Sequence, residues 1–329
     1  MSTDDVTLRD VYLARQRVAT LARKTPLLLS PLLSERAGGE VYLKLENLQE
    51  TGSFKLRGAT NRVLGLTDEE KARGVITVSS GNHGRAVSYV AGRLGINAVV
   101  CLSERVPGNK VQAIRQLGAE AVVRGEGYDA AVEHAVRLQQ ERGLTMIEPF
   151  DDPHIAAGQG TIGLELLEDL PQIDAVLIPL SGGGLVAGIA LALKAASPAI
   201  RVIGVSMDRA PVMYHSLKQG RPIEMPEEPT LADALAGGIG LNNRYTFRLC
   251  QRYVDEALLV SEEEIAGAMA FMLLEHRLVV EGGGAVGIAA ALYGKVKNAG
   301  RRVAVVVSGG NVDVPVLLKI AREHVGRGW

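Results

Sequence analysis

Short runs of contiguous apolar, largely β-branched residues, each closed by a turn and followed by helical periodicity, constrain this chain more than any other feature. GVITVS (residues 74–79) precedes GRAVSYVAGRLG, AVVCLS (98–103) precedes NKVQAIRQLG, and EAVVRG (120–125) precedes YDAAVEHAVRLQQERG. Further on, AVLIPL, RVIGVSM and RVAVVVS each meet glycine, proline or polar turn residues before another helical pattern. A strand that is apolar along its whole length is buried on both faces, and parallel neighbours need a crossover that a helix supplies. The alternation therefore predicts an α/β fold of open, twisted, mostly parallel sheets covered by helices. No fixed-period repeat or low-complexity linker interrupts it. We expect a small α/β domain at residues 69–148 set into a larger one built from residues 1–68 and 149–329.

One stretch imitates a membrane span. AVLIPLSGGGLVAGIALAL, Ala175 to Leu193, is uncharged and about long enough to cross, but Pro179 and three consecutive glycines break it. A buried strand, a glycine turn and a buried helix account for it. With 36 lysines and arginines against 37 acidic residues, the summed field gives no reason to expect nucleic acid or an anionic membrane as partner. Cys101 and Cys250 stand far apart, so neither a disulfide framework nor a metal-binding pair is expected, and two buried thiols in a reducing cytoplasm are. The opening MSTDDVTLRD lacks the basic and apolar regions of a secretory signal, which argues for a cytoplasmic protein. Acidic TDDV and SEEEI read as helix starts. The six histidines never pair at ligand spacing, so no zinc is assigned, and no P-loop or G-x-S-x-G elbow occurs.

Three turns at strand ends carry chemistry, and ligands of open α/β sheets gather at such carboxyl ends. SSGNHG, Ser79 to Gly84, offers two hydroxyls, an amide and an imidazole among glycines; it also reads as an ordinary helix-capping turn. SGGGL, Ser181 to Leu185, presents consecutive backbone amides at a helix N-terminus, an anion cradle that phosphate usually fills. SGGN, Ser308 to Asn311, is weak by itself. The middle turn supports a rival reading, because Gly182, Gly184 and Ala187 match a G-x-G-x-x-A dinucleotide fingerprint and Asp208 ends the next strand. A nicotinamide oxidoreductase would use these residues and leave Lys55 without a role.

Lys55 sits between Phe54 and Leu56 in TGSFKLRGAT. Local composition favours a solvated lysine, whereas a desolvated amine has a lowered pKa and attacks aldehydes. An aldehyde that also carries a phosphate is pyridoxal phosphate.

SFKLRGA, SSGNHG, SGGGL and SGGN, in that order, closely resemble the fold-type II pyridoxal-phosphate enzymes of the serine/threonine dehydratase and serine racemase family, whose fold is tryptophan synthase β-like. The resemblance runs from about Leu13 to about Ala321. It implies that Lys55 forms the Schiff base, with Phe54 packed near the cofactor. It also implies that Asn82 binds the ring hydroxyl, that Gly182, Gly183, Gly184 and Leu185 hold the phosphate, and that Ser308 bonds the pyridine nitrogen. A neutral hydroxyl at that nitrogen deepens the electron sink less than an aspartate, which suits rapid loss of a β-substituent. The implied reaction is loss of water from a β-hydroxy amino acid to give a 2-oxo acid and ammonia. Lys55 is the base at Cα, and Ser80, Gly81, Asn82 and His83 receive the substrate carboxylate. Ser80 matches the position that acts on the opposite face in the racemases, so racemisation is the alternative activity. The likeness further implies a homodimer or higher homo-oligomer.

Departures from the family pattern carry their own expectations. Ser206 and Val212 stand where the racemases place acidic metal ligands, so no metal is expected. The family's ADG reads ADA, Ala232 to Ala234. The chain ends soon after the last helical pattern, so feedback control through a regulatory domain is not expected. SSGNHGRAV, VPGNKVQAIRQLGAE and GVSMDR look most like the hydroxyectoine-utilisation dehydratase branch. That likeness implies a substrate such as hydroxylated diaminobutyrate, with Asp151 or Glu281 as carboxylates for its extra amine. A cofactor-bound amino-acid sensor that turns nothing over is a third class.

Overall fold

The computed structural model describes residues 6–326 and 328–329. Its strands are β1 (Leu27–Leu29), β2 (Glu40–Leu45), β3 (Val75–Val78), β4 (Ala98–Leu102), β5 (Glu120–Val123), β6 (Thr145–Met146), β7 (Ala175–Pro179), β8 (Arg201–Met207), β9 (Glu256–Val260) and β10 (Arg302–Val307). They form a six-stranded sheet in the order β1-β2-β10-β7-β8-β9 and a four-stranded sheet in the order β5-β4-β3-β6. Every pairing is parallel except β1 with β2. This is the expected α/β class, with two open, largely parallel sheets covered by helices. The apolar runs are strands because both faces are covered: β3, β4 and β7 are buried at every residue.

Alternation along the central strands divides the interior. Val176 and Ile178 of β7, with Ala304 and Val306 of β10, face the core under the helices Pro153–Asp169 and Gly184–Ala196. Ala175 and Leu177, with Val303, Val305 and Val307, face the opposite core under Glu262–His276 and Gly282–Leu292. The period of two places one residue set on each side of a strand. The smaller sheet repeats the device, with Val100 and Leu102 on one side and Val99 and Cys101 on the other.

Ala175 to Leu193 folds as β7, the glycine turn and the start of Gly184–Ala196, and no described helix is long and apolar enough to cross a membrane. SEEEI starts a helix as expected: Ser261 accepts from the Glu264 amide, and the Glu264 side chain accepts from the Ser261 amide. Of TDDV, Thr3 to Asp5 lie outside the described residues. Cys101 and Cys250 are free and buried.

Candidate active site

The loops that follow β3, β7 and β10, at the carboxyl ends of those strands, close around a cavity of about 860 Å³. Lys55 lies on its wall as the first residue of the helix Lys55–Leu64. Its Nζ donates to the Pro149 carbonyl at 2.6 Å and stands 5.3 Å from the Phe54 ring centroid. Withdrawal from water lowers its pKa from 10.5 to about 8. The positive end of the helix dipole also disfavours a cation there. The segment before the lysine is tied to the end of β10: Ser53 pairs with Gly309, and the Phe54 amide donates to the Ser308 carbonyl at 3.0 Å. Ser308 thus enters the same wall, buried, with its Oγ 3.5 Å from the Gly283 carbonyl.

Arg57 holds the lysine's helix from behind. Its guanidinium, 1% exposed, binds Glu46 through Nε and Nη2, each at 2.8 Å, and Glu165 through Nη1 at 2.6 Å and Nη2 at 2.9 Å. Lys44, also buried, binds Glu165 at 2.6 Å, so two cations and two carboxylates balance inside the protein. A buried ion pair holds only when its remaining donors are satisfied, and the Arg57 fork satisfies both partners.

Across the cavity, Gly182 to Leu185 turn into the helix Gly184–Ala196, whose N-terminus has no side-chain cap. Gly183 has φ +88°, and a Cβ there would stand 2.9 Å from Met213 Cε and 3.0 Å from Cys250 Sγ. A Cβ at Gly182 would collide with the Phe150 ring. Only glycine leaves these amides open and the backbone approachable. The rival dinucleotide reading finds no ribose partner, because Asp208 is exposed and is not among the cavity-lining residues.

The SSGNHG turn opens the helix Asn82–Leu94, whose N-cap, Gly81, supplies no capping side chain. Ser80 and Gly81 line the cavity. Asn82 is fixed from two sides: its Nδ2 donates to Glu281 Oε1 at 2.6 Å, and its Oδ1 accepts from Asn311 Nδ2 at 2.6 Å. Glu281 also accepts from the Asn311 amide at 3.0 Å, and burial pushes its carboxyl up from 4.5 to about 7. His83 is 3% exposed, with its Nε2 3.0 Å from the Ile147 carbonyl. Burial first, and the nearby Lys55 second, lower its pKa to about 3.

Asp151 stands apart from the other candidates. Its carboxylate accepts from the Arg244, Tyr245 and Thr246 amides at 2.6 to 2.9 Å, and it is not among the cavity-lining residues. It thus binds the backbone amides at the start of the helix Thr246–Tyr253. Sequence reasoning missed Pro149, Phe150, Arg85 and Asn311. Asn311 closes the SGGN turn and was within reach; the others gave no local signal. Arg85 Nη1 donates to Asn311 Oδ1 at 2.9 Å.

The sequence model of the family described as pyridoxal-phosphate dependent enzyme matches residues 18–309. An L-threonine ammonia-lyase of Thermotoga maritima is 44% identical over 318 residues, 97% of this chain and 79% of that protein. Maize serine racemase superposes with a TM-score of 0.91 at 33% identity, covering 97% of this chain and 98% of the other. The processed threonine deaminase isoform 2 of Solanum lycopersicum gives 0.90 at 39% identity, covering 98% and 88%.

Proposed function

The chain belongs to the pyridoxal-phosphate dependent enzyme family, and from that premise we propose that it removes water from a β-hydroxy amino acid such as threonine or serine. It is an ammonia-lyase of the threonine dehydratase type, and its cofactor is pyridoxal phosphate. The observation that carries the residue assignment is the half-buried Lys55 amine, lowered to about 8, in one cavity with the uncapped Gly182 to Leu185 turn. An amine for the aldehyde and open amides for the phosphate fit this group.

In this reading Gly182, Gly183, Gly184 and Leu185 hold the phosphate through backbone amides, Ser308 Oγ meets the ring nitrogen, and Asn82 Nδ2 meets the ring hydroxyl. Glu281 and Asn311 fix the Asn82 amide plane, so its second Nδ2 proton has a set direction. When bound, the cofactor supplies an electron sink conjugated with the substrate nitrogen. Lys55, in its uncharged form, removes the proton from Cα. The backbone amides of the Ser80 to His83 turn receive the substrate carboxylate at the start of a helix. Loss of the β-hydroxyl as water leaves an enamine, which takes up water to give the 2-oxo acid and ammonia.

Ser80 supports racemisation as a second activity, because its hydroxyl is on the wall and takes no hydrogen-bond partner among the described residues. For the finer substrate we favour a hydroxylated diaminobutyrate, on the likeness of SSGNHGRAV and GVSMDR to the hydroxyectoine-utilisation branch. Of the two carboxylates considered for its amine, Glu281 remains, and Glu224 and Glu227 add exposed carboxylates to the wall. We also assign residues 69–148, around the four-stranded sheet, to a smaller domain, and expect a homodimer or higher oligomer in the cytoplasm.

The purified protein is expected to be yellow, to change spectrum with L-serine, L-threonine or hydroxylated diaminobutyrate, and to release 2-oxo acid. A colourless protein that binds NAD overturns the reading, and spectral change without product favours a sensor.

A further inference from the structure

Lys55 Nζ and the Pro149 carbonyl oxygen stand 2.6 Å apart, and each end of that bond is fixed independently. Behind the lysine, Arg57 ties the helix Lys55–Leu64 to Glu46 and Glu165. Behind the proline, the Ile147 amide donates to the Ile76 carbonyl of β3 at 2.9 Å, and the Ile147 carbonyl accepts from Thr77 Oγ1 at 2.9 Å. The next residue, Phe150, lays its ring against Gly182. Pro149 is thus held in the cavity wall from both sides. Among the described residues Nζ takes no other hydrogen-bond acceptor and forms no ion pair. The nearby His83 ring, lowered to about 3, carries no charge to compete for it.

Resting on the lyase reading proposed above, we propose that the Pro149 carbonyl positions the catalytic base: whenever Lys55 is not joined to the cofactor, its Nζ bonds this oxygen, which holds the amine in place through proton removal. A lysine stem is flexible, and a bond to a fixed acceptor removes most of its freedom at the end that reacts. The uncharged amine donates one N–H to the carbonyl and keeps its lone pair for the α-proton, so the two bonds do not compete. Taking that proton makes an ammonium, which the same carbonyl binds more strongly than the neutral amine. The acceptor therefore favours the transfer as well as the geometry.

Proline followed by phenylalanine occurs once in the chain, at Pro149–Phe150. Isotopic labelling of proline carbonyl carbon and phenylalanine nitrogen therefore gives one coupled amide signal by NMR, and its carbon shift reports the acceptor. In the apoprotein this shift is expected to titrate with a midpoint near 8, and the step is expected to vanish in Lys55→Ala. Burial also raises Glu148 and Glu281, so a step that survives in Lys55→Ala belongs to them and overturns the proposal, as does the absence of a step. Loading the cofactor takes the amine and is expected to move the signal. L-alanine, which displaces the amine but has no group to lose at Cβ, is expected to return it to its apoprotein position; a signal that stays while the visible spectrum shows alanine bound overturns the proposal. Replacing Phe150 by L-phenyllactate turns the Pro149 amide into an ester, a weaker acceptor, and removes an N–H that makes no hydrogen bond among the described residues. In the loaded enzyme kcat is then expected to fall about three- to tenfold with KM little changed, and its acid limb to move to lower pH. An ester placed at Asp151 weakens the Phe150 carbonyl instead; an equal effect from both esters, or none from the first, overturns the proposal. Failure of the lyase reading itself looks different: the apoprotein still titrates as described, but the loaded protein turns over neither L-serine nor L-threonine.

Discussion

Arg57 and Glu46 meet in a two-point contact, Nε to Oε2 and Nη2 to Oε1, each at 2.8 Å, with 1% and 0% of their side chains exposed. Arg57 is two residues from Lys55, so this pair fixes the start of the helix that carries the amine. Arg57→Met leaves Glu46 and Glu165 buried with less compensation, and a loss of about 3–5 kcal/mol is expected from urea denaturation. Arg57→Lys, which cannot fork, should recover only part of it. A shift below about 1 kcal/mol for Arg57→Met would show that the quartet does not hold the helix start.

Removing the amine is the most direct catalytic test. Lys55→Ala should lower the rate of 2-oxo acid formation at least about a thousandfold, as expected when the base and the covalent attachment are lost together. Absorbance should lose the band of the lysine-linked cofactor. Persistence of that band in the variant would sink the assignment.

Glu281 ties stability to pH. Burial raises its folded pKa from 4.5 to about 7, so the folded chain keeps a proton that the unfolded chain has already released. Its contribution is complete below about 4.5 and is lost as pH rises through about 7, a change of about 3 kcal/mol. Glu281→Gln mimics the protonated state and should gain stability relative to the unmutated protein between pH 5 and pH 8. Parallel stability curves across that range would contradict the assignment.

The glycine cradle predicts a loss of cofactor affinity. Gly183→Ala places a side chain at φ +88° against Met213 and Cys250. The left-handed backbone alone costs about 1–2 kcal/mol. Spectrophotometric titration of the apoprotein should show pyridoxal phosphate bound about tenfold or more weakly, and unchanged affinity would remove the turn from the phosphate site.

What the sequence disclosed was local. The strands before the three chemical turns are unbroken apolar runs, and the glycines that open those turns lie next to each other in the chain. The edge strand β1 was missed because three residues carry little periodicity, and β2 because Lys44 in EVYLKL looks solvent-facing until Glu165 arrives to pair it. The Glu281–Asn82–Asn311 ladder joins residues 199 and 229 positions apart, and no window along the chain brings them together. Asp151 misled for the opposite reason. A carboxylate beside an expected pocket suggested a ligand, but the amides that engage it begin at Arg244, 93 positions further on.

The last strand in the chain, β10, is not at the margin of its sheet but between β2 and β7, and the turn after it is bonded to the segment that carries Lys55. During synthesis, Lys55 leaves the ribosome long before the strand that completes its surroundings. Until β10 inserts, β2 and β7 have no common neighbour, and Phe54 lacks its Ser308 acceptor. The burial that lowers the Lys55 pKa therefore depends on a wall whose last part to be synthesised is the turn after β10.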